Sequence, residues 1–447
     1  MWTVAQLAAD LAAGRTSSRE LTEQALASID DRSGEGRRAF LKVYTDAARA
    51  EADHADRLRK AGVRRSGIDG LPISLKDLFD VAGEVTRAGS RVRESASKAK
   101  SDAPAVARLR AAGAIFIGRT NMVEFAFGGI GLNPHYGTPK NPYDRKSGRV
   151  PGGSSSGAAV AQADGMAVMS LGSDTRGSIR GPAALCGVTG WKPTARRVPR
   201  EGAFPLSFTL DSIGPLANSV GCCAAYDAIL SGEDGPALPS FQTKGLRLLL
   251  PRSSALEDLD KDVSAAFQAA LSRLSRAGAL ITEKSVAAFD RQGDYFKNGG
   301  YAGAEAYYIH RANEERIGEY DPRVGKRILA GKTISAADYL ALGEIRGQFM
   351  REIEALAAPF DAILMPTVPC IAPTIAECDA SDDDYVRWNM RILRNPGLIN
   401  FLDGCAASLP CHEPGAAPVG LMVCGTANTD GRTLAVAAAL ERALGRH

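Results

Sequence analysis

Histidine is scarce in this chain. The 447 residues hold five, His54, His135, His310, His412 and His447, and no two stand at metal-ligand spacing, so a histidine-built metal centre is not expected. The eight cysteines include no C-x-x-C pair. Most sit in apolar surroundings, and Cys222-Cys223 falls in a helical stretch, a pattern of buried free thiols rather than a disulfide framework. A charge excess is also missing: 54 basic and 51 acidic residues leave +3, which provides no global field for nucleic acid. The locally basic stretch from Arg87 to Arg110 has no interleaved aromatics and reads as solvated surface. No apolar run reaches membrane-spanning length. The opening MWTVAQLAAD has no basic start and carries Asp10, unlike a secretory leader. There is no phosphate loop, no Rossmann glycine triplet and no repeat at solenoid period. What remains is an ordinary globular composition, 45% hydrophobic with 47 Gly and 23 Pro. The expectation is a cytoplasmic protein with reduced thiols, no cofactor, no metal, no membrane and no nucleic-acid partner.

The informative stretch runs from Pro151 to Gly187, PGGSSSGAAVAQADGMAVMSLGSDTRGSIRGPAALCG. Two Ser/Gly clusters, Gly152–Gly157 and Ser173–Pro182, flank a small-residue helix pattern and the apolar strand pattern Ala167–Leu171. Glycine lets a backbone enter turns closed to other residues and approach a substrate closely. Successive N–H groups in such a turn, beside exposed hydroxyls, suit a nucleophile and its oxyanion hole. A flexible linker is the bland alternative, but linkers do not carry VMSLGSD or end in PAALC.

Two serine mechanisms compete for the stretch. Gly153-Ser-Ser155-Ser-Gly157 fits the nucleophile elbow G-x-S-x-G, with Ser155 as nucleophile. An elbow must follow a buried strand, whereas NPYDRKSGRVP precedes it, polar and broken by two prolines. It also needs a downstream histidine, and only His310, His412 and His447 are available. The other mechanism uses a neutral lysine as base, which requires burial, since desolvation lowers a lysine pKa. Lys76, in the apolar run LPISLKDLF, has that setting. The plain alternative for Lys76 is a lysine guarding a sheet edge.

The rest of the chain alternates. Helical patterns at Val4–Ala13, Ser18–Asp30 and Thr45–Ala61 form an N-terminal layer without chemistry, the second capped by Thr16 or Ser17 with Glu20 in its first turn. Strand Leu71–Leu75, helix Asp102–Ala112 and strand Ala114–Gly118 have the spacing of a parallel crossover. Later strands are expected at Leu246–Leu250, Ala362–Met365 and Val419–Val423. Later helices are expected at Asp260–Ala277, Ala302–Ile317, Ile334–Leu356 and Asn428–Leu444. Ser231–Lys244 reads as a surface connection. Ser95-Ala-Ser-Lys98 matches S-x-x-K but lies in a polar loop without companion motifs, a chance match.

The chain resembles the amidase signature hydrolases. Lys76 in PISLKD, Ser154 in PGGSSSG and Ser178 in GSDTRGSIRGPAALCG match that family's lysine, cis-serine and nucleophilic serine, and Ser154 and Ser178 stand 24 residues apart, as in the family. NMVEFAFGG from Asn121, LNPHYGTP from Leu132, LDSIGPL from Leu210 and NFLDG from Asn400 match further. The resemblance implies one α/β/α sandwich around a large mixed, mostly parallel sheet. It covers 1–447 as a single domain: 1–65 a helical layer, 70–220 the signature core and 221–447 the remainder. It implies hydrolysis of a small-molecule amide, ester or carbamate by a monomer or homodimer through a Lys76–Ser154–Ser178 relay. The oxyanion hole would be built from the N–H groups of Thr175, Arg176, Gly177 and Ser178, and the Gly153–Ser154 peptide would be cis. Asp174, Arg180 and Ser155 would support the site, Asp174 and Arg180 as an ion pair holding the turn. Met122, Phe125, Phe127, Gly128, Gly129 and Phe204, with Phe208, are pocket candidates. The family usually has Gly where Arg176 stands. Rival readings are the A subunit of a tRNA-dependent amidotransferase, which usually has Gln where Gly181 stands, and a catalytically impaired binding homologue, suggested by Arg176. Arg176 is expected to keep a negative φ, with its side chain either paired to a surface carboxylate or at the pocket mouth.

Overall fold

Apolar residues at successive positions of a strand point to opposite faces of a sheet, so a strand that is apolar throughout must be covered on both sides. The computed structural model, which describes residues 3–233 and 239–445, shows this for the central strands. Eleven strands form one sheet: β1 (Phe40–Val43), β2 (Pro72–Lys76), β3 (Ile115–Thr120), β4 (Met169–Asp174), β5 (Thr189–Lys192), β6 (Ser212–Ala217), β7 (Arg247–Arg252), β8 (Leu280–Ser285), β9 (Ala362–Pro366), β10 (Cys405–Pro410) and β11 (Gly420–Gly425). Their order is β1-β3-β2-β4-β6-β5-β10-β11-β9-β7-β8. Along β7, Leu248 and Leu250 enter one core while Leu249 enters another. Along β11, Leu421 and Val423 part from Met422 and Cys424 in the same way. Helices Pro104–Ala111, Val220–Ser231, Lys261–Arg276 and Asp430–Ala443 supply the first core. Helices Ser156–Ala163, Ala336–Ala357 and Asp382–Phe401 pack into cores separate from it. This is the expected α/β sandwich on a large mixed sheet.

The parallel share is smaller than expected. β2 runs parallel to β3 and β4, and β7 to β8 and β9. The other six ladders are antiparallel. Parallel neighbours need a crossover long enough for a helix, and the short return from Cys411 to Val419 leaves β10 and β11 antiparallel. Crossovers persist in both halves, and in the first the strands and helices that were expected fall within a few residues of their observed bounds.

Strands β1, β5, β6, β8 and β10 and the long helix Asp382–Phe401 were not anticipated. β6 carries Gly214 and Pro215, which read as breakers, yet Pro215 sits opposite Leu171 of β4. A Cβ at Gly214 would lie 2.2 Å from the Trp191 carbonyl oxygen, so only glycine permits this approach. Pro396 lies inside the long helix and hides it from a propensity reading. Part of the Ser231–Lys244 connection, 234–238, and His447 lie outside the described residues. The eight cysteines are buried and free.

Gly214→Ala is expected to destabilise the fold by about 1–3 kcal/mol through overpacking against rigid backbone. Gly431→Ala, in a helix with nothing near its added methyl, should be neutral or stabilise by up to about 1 kcal/mol. Urea unfolding of both variants checks the pair; equal midpoints would refute the close-approach argument.

Candidate active site

β2 and β4 lie side by side and deliver their C-terminal residues to one place, Lys76 from the first and Ser173 and Asp174 from the second. Lys76 is wholly buried. Its Nζ lies 2.7 Å from Ser154 Oγ and 2.8 Å from Ser173 Oγ, with no carboxylate in direct contact. Burial drives its pKa down to about 7, and the negative charges of Asp174 and Asp211 oppose that shift only in part. Lys76 therefore exchanges its proton near neutral pH. It is interior, not an edge guard. Ser173 was not singled out in the sequence; it stands in GSDTRGS and adds a second hydroxyl to the amine.

Ser154 precedes helix Ser156–Ala163, and its peptide bond with Gly153 is cis. Its carbonyl accepts from the Val123 N–H at 3.0 Å. Ser178 lies between β4 and helix Arg180–Cys186 and borders a cavity of about 300 Å³. The turn before it is shaped by Asp174. Oδ1 accepts from the Gly177 N–H at 2.8 Å and from Arg180 Nη2 at 3.0 Å, and Oδ2 accepts from the Ile179 N–H at 3.0 Å. Asn400 Nδ2 donates to Oδ1 at 2.9 Å, and Arg180 Nη2 donates to Asn400 Oδ1 at 2.6 Å. Burial alone would push the Asp174 pKa up. Arg180's charge and hydrogen bonds reverse this and hold the carboxyl well below the usual range.

The same bond corrects the expected oxyanion donors. The Gly177 N–H is already given to Asp174, which leaves Thr175, Arg176 and Ser178 as the candidates. Gly177, not position 176, needs glycine. Its φ is +118°, and an added Cβ would meet Pro396 Cβ at 2.5 Å. Arg176 has no positive φ, as expected. Its guanidinium is not paired to a surface carboxylate but lines the cavity, with Cζ 3.7 Å from the Phe296 ring centroid. Thr175 Oγ1 donates to Asp211 at 2.5 Å.

Ser155 is buried, and its hydroxyl donates to the Ser173 carbonyl at 3.4 Å. It borders neither cavity beside the site. Of the downstream histidines, His310 Nδ1 pairs with Tyr320 Oη at 3.1 Å, and His412 Nδ1 accepts from the Val419 N–H at 3.2 Å. The strand that an elbow needs before its serine is not there: among the described residues, no strand forms between β3 and helix Ser156–Ala163. Ser95 and Lys98 sit on an exposed turn.

Among the pocket candidates, Phe127 and Gly128 border the Ser178 cavity, while Phe204 and Phe208 border a neighbouring one of about 320 Å³ that also reaches Ser173 and Thr175. Met122, Phe125 and Gly129 border neither. Met122 is turned into the core, and Phe125 packs against His310, 4.3 Å between centroids. Gly129 donates its N–H to Asn389 and is covered by Leu393. The sequence reading missed the far wall: Phe296, Arg327 and, from the unanticipated helix, Tyr385, Met390 and Leu393. Among the described residues, no cluster of three His, Cys, Asp or Glu side chains is placed to hold a metal. No helix of these residues is long and apolar enough to cross a membrane.

The amidase family model matches residues 20–434, and the chain belongs to this family. It is an amidase, an enzyme of the class that hydrolyses carbon–nitrogen bonds. It is 35% identical over 443 residues to the 2-amino-5-chloromuconic acid deaminase of Comamonas testosteroni, covering 97% of this chain and 95% of that one. It is also 35% identical to the A subunit of the glutamyl-tRNA(Gln) amidotransferase of Anaeromyxobacter dehalogenans, over 98% of this chain and 95% of the other. A crystal structure of an amidase superposes with a TM-score of 0.88 at 33% identity, covering 99% of both chains.

Removing the Asp174 carboxylate would strand the buried Arg180 guanidinium. Asp174→Ala is expected to cost about 3–5 kcal/mol, and because the native carboxyl titrates below the usual range, its contribution is full at neutral pH and lost only in strong acid. Chemical unfolding at pH 7 measures the cost. A loss below about 1 kcal/mol, typical of a solvent-exposed pair, would refute the buried-anchor role.

Proposed function

We propose that this chain hydrolyses a carbon–nitrogen bond of a small-molecule amide, with esters and carbamates open to the same chemistry, through an acyl-enzyme on Ser178. The observation that carries this reading is a fully buried lysine, its pKa lowered to about 7, in hydrogen-bond contact with Ser154 beside the turn that bears Ser178. Neutral Lys76 takes the proton of Ser154 as Ser154 takes that of Ser178. Ser178 Oγ then bonds to the substrate carbonyl carbon. The negative charge that develops on the carbonyl oxygen is met by the N–H groups of Thr175, Arg176 and Ser178, each such donor contributing roughly 3–4 kcal/mol of barrier lowering. The proton returns through Ser154 to the leaving nitrogen, the carbon–nitrogen bond breaks and an ester remains on Ser178. Water, giving its proton back along the same path, hydrolyses that ester and restores the hydroxyl. Ser173 completes the hydrogen bonding of Lys76 without an anion that would fix its proton. Asp174, Arg180 and Ser155 act through shape, by holding the turn and the entry to helix Ser156–Ala163.

Ser178→Ala is expected to abolish turnover and labelling by a fluorophosphonate. Ser154→Ala and Lys76→Ala should each lower kcat by about a thousandfold or more with the fold retained, and much less than additively when combined, because the three act as one unit. An active Ser178→Ala with a dead Ser155→Ala would overturn the assignment. The isolated chain should hydrolyse simple amides without tRNA or partner; a strict need for either would favour the amidotransferase reading.

The pH profile follows from the direction of the Lys76 shift. Below about pH 7 the amine holds its proton and cannot accept another, so kcat/KM should rise through a single ionisation near 7 and level off above it. Activity that is flat between pH 5 and 9 would refute lysine as the base.

A further inference from the structure

The cavity beside Ser178 is bordered by four cations, Arg176, Arg323, Lys326 and Arg327, and by one anion, Asp382. Two of the cations are neutralised by carboxylates: Arg323 pairs with Asp379 and Lys326 with Asp382. Arg176 and Arg327 have no such partner among the described residues. Arg327 donates to the Phe127 carbonyl and lies 3.1 Å from Tyr385 Oη, both uncharged. Arg176 meets the Phe296 face and, at 3.9 Å, the Met390 sulfur, neither of them charged. Its Nε and Nη2 are shielded from solvent and bonded to nothing. Leaving guanidinium N–H groups dry and unbonded is costly. Burial first, and then the like charge of Arg327, pull the Arg176 pKa down to about 9.

The arrangement is held in place. Arg176 lies against Gly397 of the long helix, where an added Cβ would stand 2.9 Å from Arg176 Cγ and 3.0 Å from Nε. Phe296 covers the guanidinium carbon at 3.7 Å, and Nε and Nη2 are left to bind. A carboxylate matches such an edge with two parallel hydrogen bonds, and no neutral group restores the missing charge. Arg176 is also two residues from Ser178, and its own N–H belongs to the candidate oxyanion donors. Charge recognition and carbonyl activation therefore sit on one short segment.

We propose that the substrate is an amide carrying a carboxylate a few bonds from the scissile carbonyl, held by Arg176 and Arg327 in the cavity that Ser178 borders. This deepens the acyl-enzyme reading and rests on it for the identity of the reacting end. The remaining wall, Phe127, Phe296, Met390 and Leu393, is apolar and fits the carbon skeleton between the two polar ends.

The test is calorimetric binding in the Ser178→Ala background, where turnover does not intervene. The half-amides of succinic, glutaric and adipic acid are compared with the neutral amides of matching length, and N-acetylglycine with N-acetylmethylamine. The first set places the carboxylate on the acyl side and the second on the leaving side. In at least one set the anion should bind tighter than its neutral match by about tenfold to a hundredfold, as charged hydrogen bonds of this kind provide. Arg176→Met should remove that preference. So should Gly397→Ala, which keeps both arginines in the chain but displaces Arg176. Equal binding of anion and neutral match, absence of binding in both sets, or a preference that survives both variants would overturn the proposal. Residual hydrolysis by Ser178→Ala would instead refute the nucleophile assignment, so the two failures are distinguishable.

Discussion

Asp174 stands at the end of β4 with both carboxylate oxygens occupied, and the loop beyond it takes its shape from that group. Three kinds of donor converge on it: backbone N–H groups of Gly177 and Ile179, the Arg180 guanidinium and the Asn400 amide. A buried carboxylate is tolerated only with such complete satisfaction. The consequence is geometric. The turn must fold back over the carboxylate, Gly177 must take a positive φ beneath Pro396, and Ser178 is left facing the cavity. Asn400 carries the constraint to the long helix, so the cavity's far wall and Ser178 are tied to one anchor.

Two ionisable groups close to each other in the fold are handled in opposite ways. Asp174 meets a full positive charge and remains an anion. Lys76 meets only hydroxyls and is pushed towards its neutral form. The difference is in the partners, since both are wholly buried. Lys192, also buried on β5, is lowered to about 8 by burial and by Arg180, but its Nζ is bonded to the carbonyls of Pro193 and Gly404. Burial lowers both lysines; what sets Lys76 apart is its hydroxyl partners, Ser154 and Ser173.

Arg176 illustrates how a departure from a pattern acquires meaning only in space. A side chain in place of hydrogen at this position does not disturb the turn, because the backbone demand for glycine falls on Gly177. The added guanidinium enters a cavity that already holds Arg327 and lacks a counter-charge for either. The electrostatic imbalance is a property of two segments about 150 positions apart in the chain, and neither reveals it alone.

The chain's own order of residues determined a good deal. PISLKD, PGGSSSG and GSDTRGSIRG are local, and the family resemblance they carry singles out Lys76, Ser154 and Ser178 as candidates before the fold is known. Strands β2, β3 and β4 follow too, because the crossover units that join them keep strand and helix periods distinct. Tertiary structure decided what depends on contact between distant segments. β6 and β10 are stabilised by neighbouring strands in spite of glycine, proline and small residues, and the helix Asp382–Phe401 continues through Pro396, whose carbonyl accepts from Arg180 instead of serving the helix alone. Ser173 gained its place only when β2 and β4 aligned, and the Gly177 N–H lost its expected role because Asp174 reached it first. The physical reason is common to these cases: propensity and motif act over a few residues, whereas hydrogen-bond satisfaction and charge balance in a buried site are settled among all the groups that the fold brings together.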